Sequence, residues 1–117
     1  MEAKASLKNV RVSAQKARLV ADLVRGEDID RALEVLTFTR KKSAPLIKKL
    51  VESAVANVEH KAREDGAEVD VDNLFIKAIT VDQGAGIRRW RPRAMGRATR
   101  IIKHVSHITV VVDARED

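Results

Sequence analysis

The chain has no cysteine and no tyrosine, and aromatic residues make up only 3% of its 117 positions. Without cysteine it can form neither disulfides nor thiolate metal sites, which fits a reducing compartment such as the cytoplasm. Its core must be built from Val, Ile, Leu and Ala, and the hydrophobic content of 44% is enough for one ordinary domain. No apolar run approaches the ~20 residues that cross a bilayer, and the first ten residues do not resemble a signal peptide. We therefore expect no membrane partner.

Acidic residues are absent from thirty consecutive positions, Gln83–Val112, and this stretch carries seven cations. The formal net charge of the whole chain is +6, so the residues outside the stretch sum to −1. The positive charge is therefore concentrated in one segment of the chain. Lysine and arginine concentrated in this way indicate a surface that binds a polyanion, most often a nucleic acid.

Signatures of catalytic sites are also missing. Ser43, Ser53 and Ser106 have no GxSxG context, and no phosphate-loop pattern occurs. His104 and His107 are three positions apart on a predicted strand, which directs their side chains to opposite faces. With no cysteine and no third clustered ligand, a metal site is not expected. We predict no catalytic residue, no metal, no cofactor and no small-molecule substrate, and hence no enzyme.

Some segments of the sequence have helical periodicity and others have strand periodicity. Apolar residues recur at three and four positions through the first half of the chain, which is typical of amphipathic helices. The segments LFIKAITV and HITVVVD are rich in β-branched residues and predict strands. The predicted elements are a short edge strand at Ala3–Val10, helices at Ser13–Arg25, Asp28–Phe38 and Ser43–Gly66, and strands at Leu74–Val81 and His107–Asp113. This order predicts an α+β fold, with three helices packed on a small three-stranded antiparallel sheet.

The linker between the last two strands is about 24 residues long, far beyond the 2–5 residues usual in a hairpin loop. It is either a disordered loop or a long protruding β-hairpin, and the β-branched Thr99, Ile101, Ile102 and Val105 favour the hairpin. Cations occur at both strand parities, so both faces of such an arm require solvent or an anion. We predict a single domain, residues 1–117, with a globular part at about 1–83 and 104–117 and an extended basic β-hairpin at about 84–103.

Three groups of residues are candidates for RNA binding. Arginine makes bidentate contacts to phosphate and stacks on bases, and Trp90 could stack on an unpaired base. Cations just before the Ser43 helix cap could seat a phosphate at the helix N-terminus, with a solvated loop as an equal alternative. The alternative for Lys16 is a surface helix charge with no ligand. The candidates are Arg88, Arg89, Trp90, Arg91, Arg93, Arg97, Arg100 and Lys103 in the hairpin, Arg40, Lys41 and Lys42 before Ser43, and Lys8, Arg11, Lys16 and Arg18 near the first helix.

The basic segment and its flanks match a known pattern. The run RPRAMGRATRIIK, Arg91–Lys103, followed by SHITVVV, Ser106–Val112, resembles the family of bacterial large-subunit ribosomal protein twenty-two. The similarity continues upstream through VRVSAQKARLVADLVRG, ESAVANVEH and VDQG, so it covers essentially the whole chain in order.

The resemblance implies a structural protein of the large ribosomal subunit in the cytoplasm. It implies binding to 23S ribosomal RNA with contacts to several of its domains, contacts with neighbouring ribosomal proteins, and a role early in subunit assembly. It further implies a hairpin that lines the polypeptide exit tunnel beside the nascent polypeptide and ribosomal protein four. The family's hairpin tip, here Ile87–Arg91, is implicated in resistance to macrolides, which would bind nearby.

Two other classes of function remain as alternatives. One is a free-standing regulator that binds RNA or DNA, although the sequence has no helix-turn-helix spacing and no stacking-sheet signature. The other is an enzyme that acts on nucleic acid, although the sequence has no clustered carboxylates and no metal ligand set. Both alternatives share the prediction of an anionic partner with the leading hypothesis.

Overall fold

The structure of the chain, a computed structural model, describes residues 2–92, 96 and 98–115, and only the backbone within residues 87–92 and 98–102. Within these ranges the elements follow in the order strand, three helices, four strands. They are β1 (Glu2–Val10), α1 (Ala14–Val24), α2 (Ile29–Phe38), α3 (Ala44–Glu64), a 3₁₀ turn (Val71–Asn73), β2 (Leu74–Gln83), β3 (Ile87–Pro92), β4 (Ala98–Lys103) and β5 (Ser106–Ala114). None of the described helices is both long and apolar enough to span a lipid bilayer.

A three-stranded antiparallel sheet has the order β1-β5-β2, so β5 is central and β1 lies on an edge. Side chains of β5 alternate between buried and half-buried positions, as expected when one face of a strand is covered. Its buried residues are Ser106, Ile108, Val110 and Val112. The helices pack on this covered face, which confirms the predicted α+β fold and the predicted edge position of the first strand.

The core is built from small and branched aliphatic side chains. On α1 the predicted stripe of Ala17, Val20, Ala21 and Val24 is fully buried. On α3 the buried positions recur every three or four residues along the predicted face, Ile47, Val51, Ala54, Val58 and Ala62. Helix α1 ends one residue earlier than predicted, and the predicted inward-facing Leu33 on α2 is only half-buried. Gly26 and Gly66, with φ of 80° and 68°, follow the ends of α1 and α3 in the left-handed region that favours glycine.

Both edges of this sheet are covered by side chains from the helices. On β1, Asn57 Nδ2 donates to the carbonyl of Lys4 at 2.9 Å, and Lys61 Nζ donates to the carbonyl of Glu2 at 2.9 Å. On β2, Arg18 donates from Nε and Nη2 to the Val81 carbonyl, and Arg25 Nη2 donates to the Ile79 carbonyl at 2.8 Å. Outward-facing carbonyls on both edge strands therefore have intramolecular partners.

Strands β3 and β4 form a separate two-stranded antiparallel ladder, from the Ile87–Lys103 pair to the Pro92–Ala98 pair. We predicted that the strands of the main sheet continue into the basic segment, but the pairing is interrupted at residues 84–86 and 104–105. A hydrogen bond of 2.8 Å from the Gly84 N–H to the Val105 carbonyl keeps the two segments adjacent at this root. At about 3.3 Å per residue, six paired residues extend each arm by roughly 20 Å.

The molecule is elongated, with extents of 67 × 28 × 17 Å and a Cα radius of gyration of 17.8 Å. A compact chain of this length has a radius of gyration of roughly 13 Å. Among the described residues, the extensive contacts of β3 and β4 are with each other and not with the helices or the main sheet. The elongation therefore coincides with the ladder.

Candidate nucleic-acid interface

Two adjoining depressions of about 520 and 400 Å³ lie beside the root of the β3–β4 ladder. They share Arg11, Val12, Ser13 and Lys42, so they form one continuous concave surface, here termed the basic groove. The remaining lining residues are Lys16, Leu19, Arg40, Lys41, Ser43, Lys103 and His104. Six of the lining residues are lysine or arginine and none is acidic.

The groove forms where three distant parts of the chain meet. Arg11 lies in the turn between β1 and α1, Arg40 lies in the connection between α2 and α3, and Lys103 ends β4. The first turn is tight, since the Val12 N–H donates to the Val10 carbonyl at 2.9 Å. The fully buried Ser106 donates from Oγ to the Val12 carbonyl at 2.7 Å. Because Ser106 opens β5 just after the ladder, this bond joins the groove to the ladder root.

The electrostatics of the groove favour an anionic ligand. In the part of the chain that the structure describes, its six cations have no carboxylate partner, whereas the lysine and arginine residues that form ion pairs are Arg25, Lys77 and Arg115. Like charges held close together repel unless an anion lies between them. A string of phosphates would supply such anions at several positions.

The N-terminus of α3 gives less support to the predicted phosphate seat. The Ala44 N–H donates to the Lys41 carbonyl at 3.1 Å, and Pro45 has no N–H. Two of the first three positions of the helix therefore offer no free N–H to a phosphate. Anion binding here would rest on the side chains of Arg40, Lys41 and Lys42, which line the groove.

The groove gathers several of the predicted RNA-binding residues, whereas others lie elsewhere. Lys8 is exposed on β1, outside the groove. Arg18 is directed to β2, where its guanidinium bonds the Val81 carbonyl at 2.9 and 3.1 Å. The groove contains Arg11, Lys16, Arg40, Lys41, Lys42 and Lys103.

The remaining candidates are in or beside the ladder. The backbones of Arg88, Arg89, Trp90 and Arg91 lie in β3 and that of Arg100 in β4, and the register places Trp90 opposite Arg100. Their side chains lie outside the description, and Arg93 and Arg97 lie outside the described residues altogether.

Five lining residues were not among the predicted RNA-binding residues, namely Val12, Ser13, Leu19, Ser43 and His104. Leu19 had a detectable signal, because it and Leu23 fall off the apolar stripe of α1 and are 59% and 51% exposed. A leucine off the apolar stripe of its helix is predicted to face solvent, where it is available to a surface depression. No group of three or more acidic or histidine side chains among the described residues is arranged to bind a metal ion.

Comparison with known proteins agrees with this geometry. The family model for ribosomal protein L22p/L17e matches residues 5–113. A curated relative, large ribosomal subunit protein uL22 of Bdellovibrio bacteriovorus, is 57% identical over 115 residues, which cover 98% of this chain and 100% of the relative. These matches confirm the resemblance read from the basic segment. The chain therefore belongs to the ribosomal protein L22p/L17e family, and it is a cytoplasmic protein of the large ribosomal subunit and not an enzyme.

Proposed function

We propose that the chain binds 23S ribosomal RNA through the basic groove and the basic hairpin, and contacts several RNA domains during early assembly of the subunit. One observation carries the proposal: cations from three distant parts of the chain converge at the ladder root. Lys103 belongs to both surfaces, since it ends β4 and lines the groove. Groove and hairpin would therefore engage neighbouring RNA segments together.

The chemistry of the proposal is charge neutralisation. RNA segments from different domains repel one another through their phosphates, and interposed Lys and Arg side chains reduce that repulsion. Arginine adds bidentate hydrogen bonds to phosphate oxygens, which fix orientation as well as charge. An elongated protein with cations at its root and along its arm would contact more than one RNA domain, and in assembly it would hold them in place.

In the same proposal the hairpin lines the polypeptide exit tunnel, where it lies beside the nascent polypeptide and where macrolides would bind nearby. The support is dimensional, because the molecule is 67 Å long but only 17 Å across its narrowest axis. A two-stranded ladder is one of the thinnest folded elements, with strands about 4.8 Å apart, and so fits between packed RNA segments. The globular part would then contact neighbouring ribosomal proteins at the subunit surface.

The proposal predicts RNA binding with a steep dependence on salt. If six or seven cations contact phosphates, the slope of log K against log salt concentration should be on the order of −5. Filter binding to a fragment of 23S ribosomal RNA between low and moderate salt concentration measures this slope. A slope near zero would be strong evidence against the proposal.

A matched pair of variants locates the interaction in the groove. Arg11→Gln removes a cation that lines both halves of the groove, and should make the slope shallower by about one. Arg31→Gln removes the same charge from an exposed position on α2 outside the groove, and should leave the slope unchanged. Equal effects of the two variants would mean that net charge alone matters. Cosedimentation with large subunits separates a ribosomal component from a free regulator.

A further inference from the structure

One exposed apolar residue lines the basic groove and a second lies two positions before one of its cations, and charge neutralisation explains neither. Leu19 lines the larger half of the groove together with Arg40, and its side chain is 59% exposed. Phe38 is 79% exposed, the highest value among the large hydrophobic residues of the described chain. It precedes Arg40 by two residues, so their Cα atoms lie within about 7 Å of each other. An exposed aromatic residue two positions from a cation of the groove favours a ligand with both charge and an apolar face.

Phe38 is not a displaced core residue. The buried face of α2 consists of Ile29, Ala32 and Leu36. Phe38 follows Leu36 by two positions, which is about 200° around a helix and therefore on the opposite side. The aromatic residues of the chain number only two Phe and one Trp, and one of the three is here exposed to solvent. Phe38 therefore takes no part in the packing of the core.

The segment that carries Phe38 is held in place. Thr37 Oγ1 donates to the Leu33 carbonyl at 2.7 Å, and Thr39 Oγ1 donates to the Val35 carbonyl at 2.6 Å. These two bonds flank Phe38 and add side-chain contacts to the backbone bonds of the last turn of α2. A preformed site loses less conformational entropy when it binds than a mobile one does.

We propose that Phe38 stacks on an unpaired nucleobase of a strand whose phosphates lie in the basic groove, so that the protein recognises single-stranded RNA in preference to duplex. This inference rests on the proposed RNA binding and names the form of RNA that the groove takes. The cations would hold the phosphates while a neighbouring base stacks on the ring of Phe38. Every base has a π face, so such stacking tolerates any sequence.

Two physical arguments favour a nucleotide over other occupants. A-form duplex hides the faces of its bases in the stack, so it cannot cover an exposed ring, whereas unpaired bases can. A purely apolar protein segment seated beside Arg40 and Lys41 would remove these cations from water without compensation. A single-stranded nucleotide satisfies both surfaces at once.

The test compares short RNA ligands with matched phosphates but different bases. The ligands are a single-stranded octamer, the same octamer with abasic central positions, and a duplex of the same sequence. We expect the octamer to bind more tightly than either of the others. Phe38→Ala should weaken binding of the octamer by roughly 5- to 150-fold, the range for loss of one base–aromatic stack, without changing the salt slope. Leu23→Ala removes a similarly exposed leucine one turn from Leu19 and should have no effect.

The outcomes separate this inference from the proposed function. The reference is the complex of the parent protein with the intact octamer. If Phe38→Ala binds the intact octamer as tightly as this, and the parent protein binds the abasic octamer as tightly, with the steep salt slope retained, the base site is refuted and phosphate binding stands. If the parent protein shows no salt-dependent RNA binding, both proposals fail. If Phe38→Ala binds RNA normally but enters large subunits poorly, a protein covers Phe38 and the base site is refuted. A fluorescent 2-aminopurine in the octamer, quenched by the parent and not by Phe38→Ala, would support the stack directly.

Discussion

Gly84 lies where β2 ends and the ladder root begins, and its missing side chain has a local reason. A Cβ at this position would lie 2.8 Å from Nε2 and 3.0 Å from Cε1 of His107. The imidazole cannot turn away freely, because its Nδ1 accepts a hydrogen bond of 3.1 Å from the Asn9 N–H. Asn9 has φ of 59° and lies at an irregularity in the pairing of β1 with β5. β1, β5 and the end of β2 therefore meet at the imidazole of His107. The ring limits how closely the end of β2 can approach β5.

We predict that Gly84→Ala lowers the free energy of unfolding by about 1–3 kcal/mol, the usual cost of overpacking a fitted contact. Urea denaturation measures the change. His107→Ala and the double variant complete the cycle. Adding Gly84→Ala to His107→Ala should cost little free energy of unfolding, because the atoms that clash are then absent. If the stability of Gly84→Ala is unchanged, the ring of His107 moves aside without cost. The steric explanation for Gly84 would then be wrong.

Lys16 and Arg18 show what can be read from sequence at the scale of a residue and what cannot. Both are cations two positions apart on α1, and the sequence grouped them as one RNA-binding patch. In the structure Lys16 lines the groove, whereas Arg18 bonds the carbonyl of Val81, 63 positions away in the chain. A backbone carbonyl leaves no signature in the sequence, so the partner of Arg18 could not be predicted. RNA binding by Arg18 stays a prediction.

At the scale of elements, side chains of the helices form hydrogen bonds with the edge strands of the sheet. Lys4 and Glu2 are two residues apart on β1, about 6.7 Å along a strand. Asn57 and Lys61, which donate to their carbonyls, are four residues apart on α3, about 6 Å along a helix. Two residues of β1 and four residues of α3 therefore span nearly the same length, so that each of the two side chains reaches one carbonyl. Edge strands with free carbonyls pair with other chains, and native proteins cover them to avoid this.

We predict that the double variant Asn57→Ala/Lys61→Ala increases self-association of the free protein. It should also lower the free energy of unfolding modestly, by about 1 kcal/mol in total, because the two hydrogen bonds are exposed. Sedimentation velocity over a range of protein concentrations measures association, and urea denaturation measures stability. Glu52→Ala, at an exposed position on α3, serves as the control. A double variant that stays as monomeric as the control would show that these bonds do not protect the edge.

Most helices and strands could be predicted because their signals are local. The caps and apolar stripes of α1 and α3 lie within their own segments, and the predicted bounds agree with the structure to within one or two residues. The prediction missed the break between β2 and β3, because it relied on the β-branched residues that continue through Val105 on the returning arm, although Gly84 and Gly86 lie at the break. The break lies next to Gly84, where an added Cβ would meet His107, 23 positions away in the chain. Periodicity carries no information about such contacts.

At the scale of the whole molecule, the positive surface is larger than the acid-free stretch from which it was first inferred. That stretch contributes Lys103 to the groove, and the other five cations come from residues 11–42. The sequence marked these residues as separate patches with solvated alternatives. Their convergence on the ladder root depends on the packing of α1 and α3 against the sheet. Tertiary packing therefore converts three weak signals into one continuous surface.

The division into a globular part and a projecting hairpin predicts the dimensions of the free protein. Ile87 pairs directly with Lys103, so a two-residue Asn-Gly turn can replace residues 88–102 without altering the pairs before it. Small-angle scattering should give the full chain a radius of gyration near the structural value of 17.8 Å. The shortened chain should approach about 13 Å, the value for a compact domain of its size, and should unfold at an unchanged urea concentration.

The unfolding midpoint matters because the ladder makes its extensive contacts only within itself, among the described residues. Removing it should therefore leave the core intact while removing six arginines that the proposal assigns to RNA. A full chain that already scatters with a radius near 13 Å would show that the arm folds back on the domain in solution. Loss of the folded state in the shortened chain would show instead that residues 88–102 support the core. Either result would contradict a projecting arm whose two faces are left free for RNA.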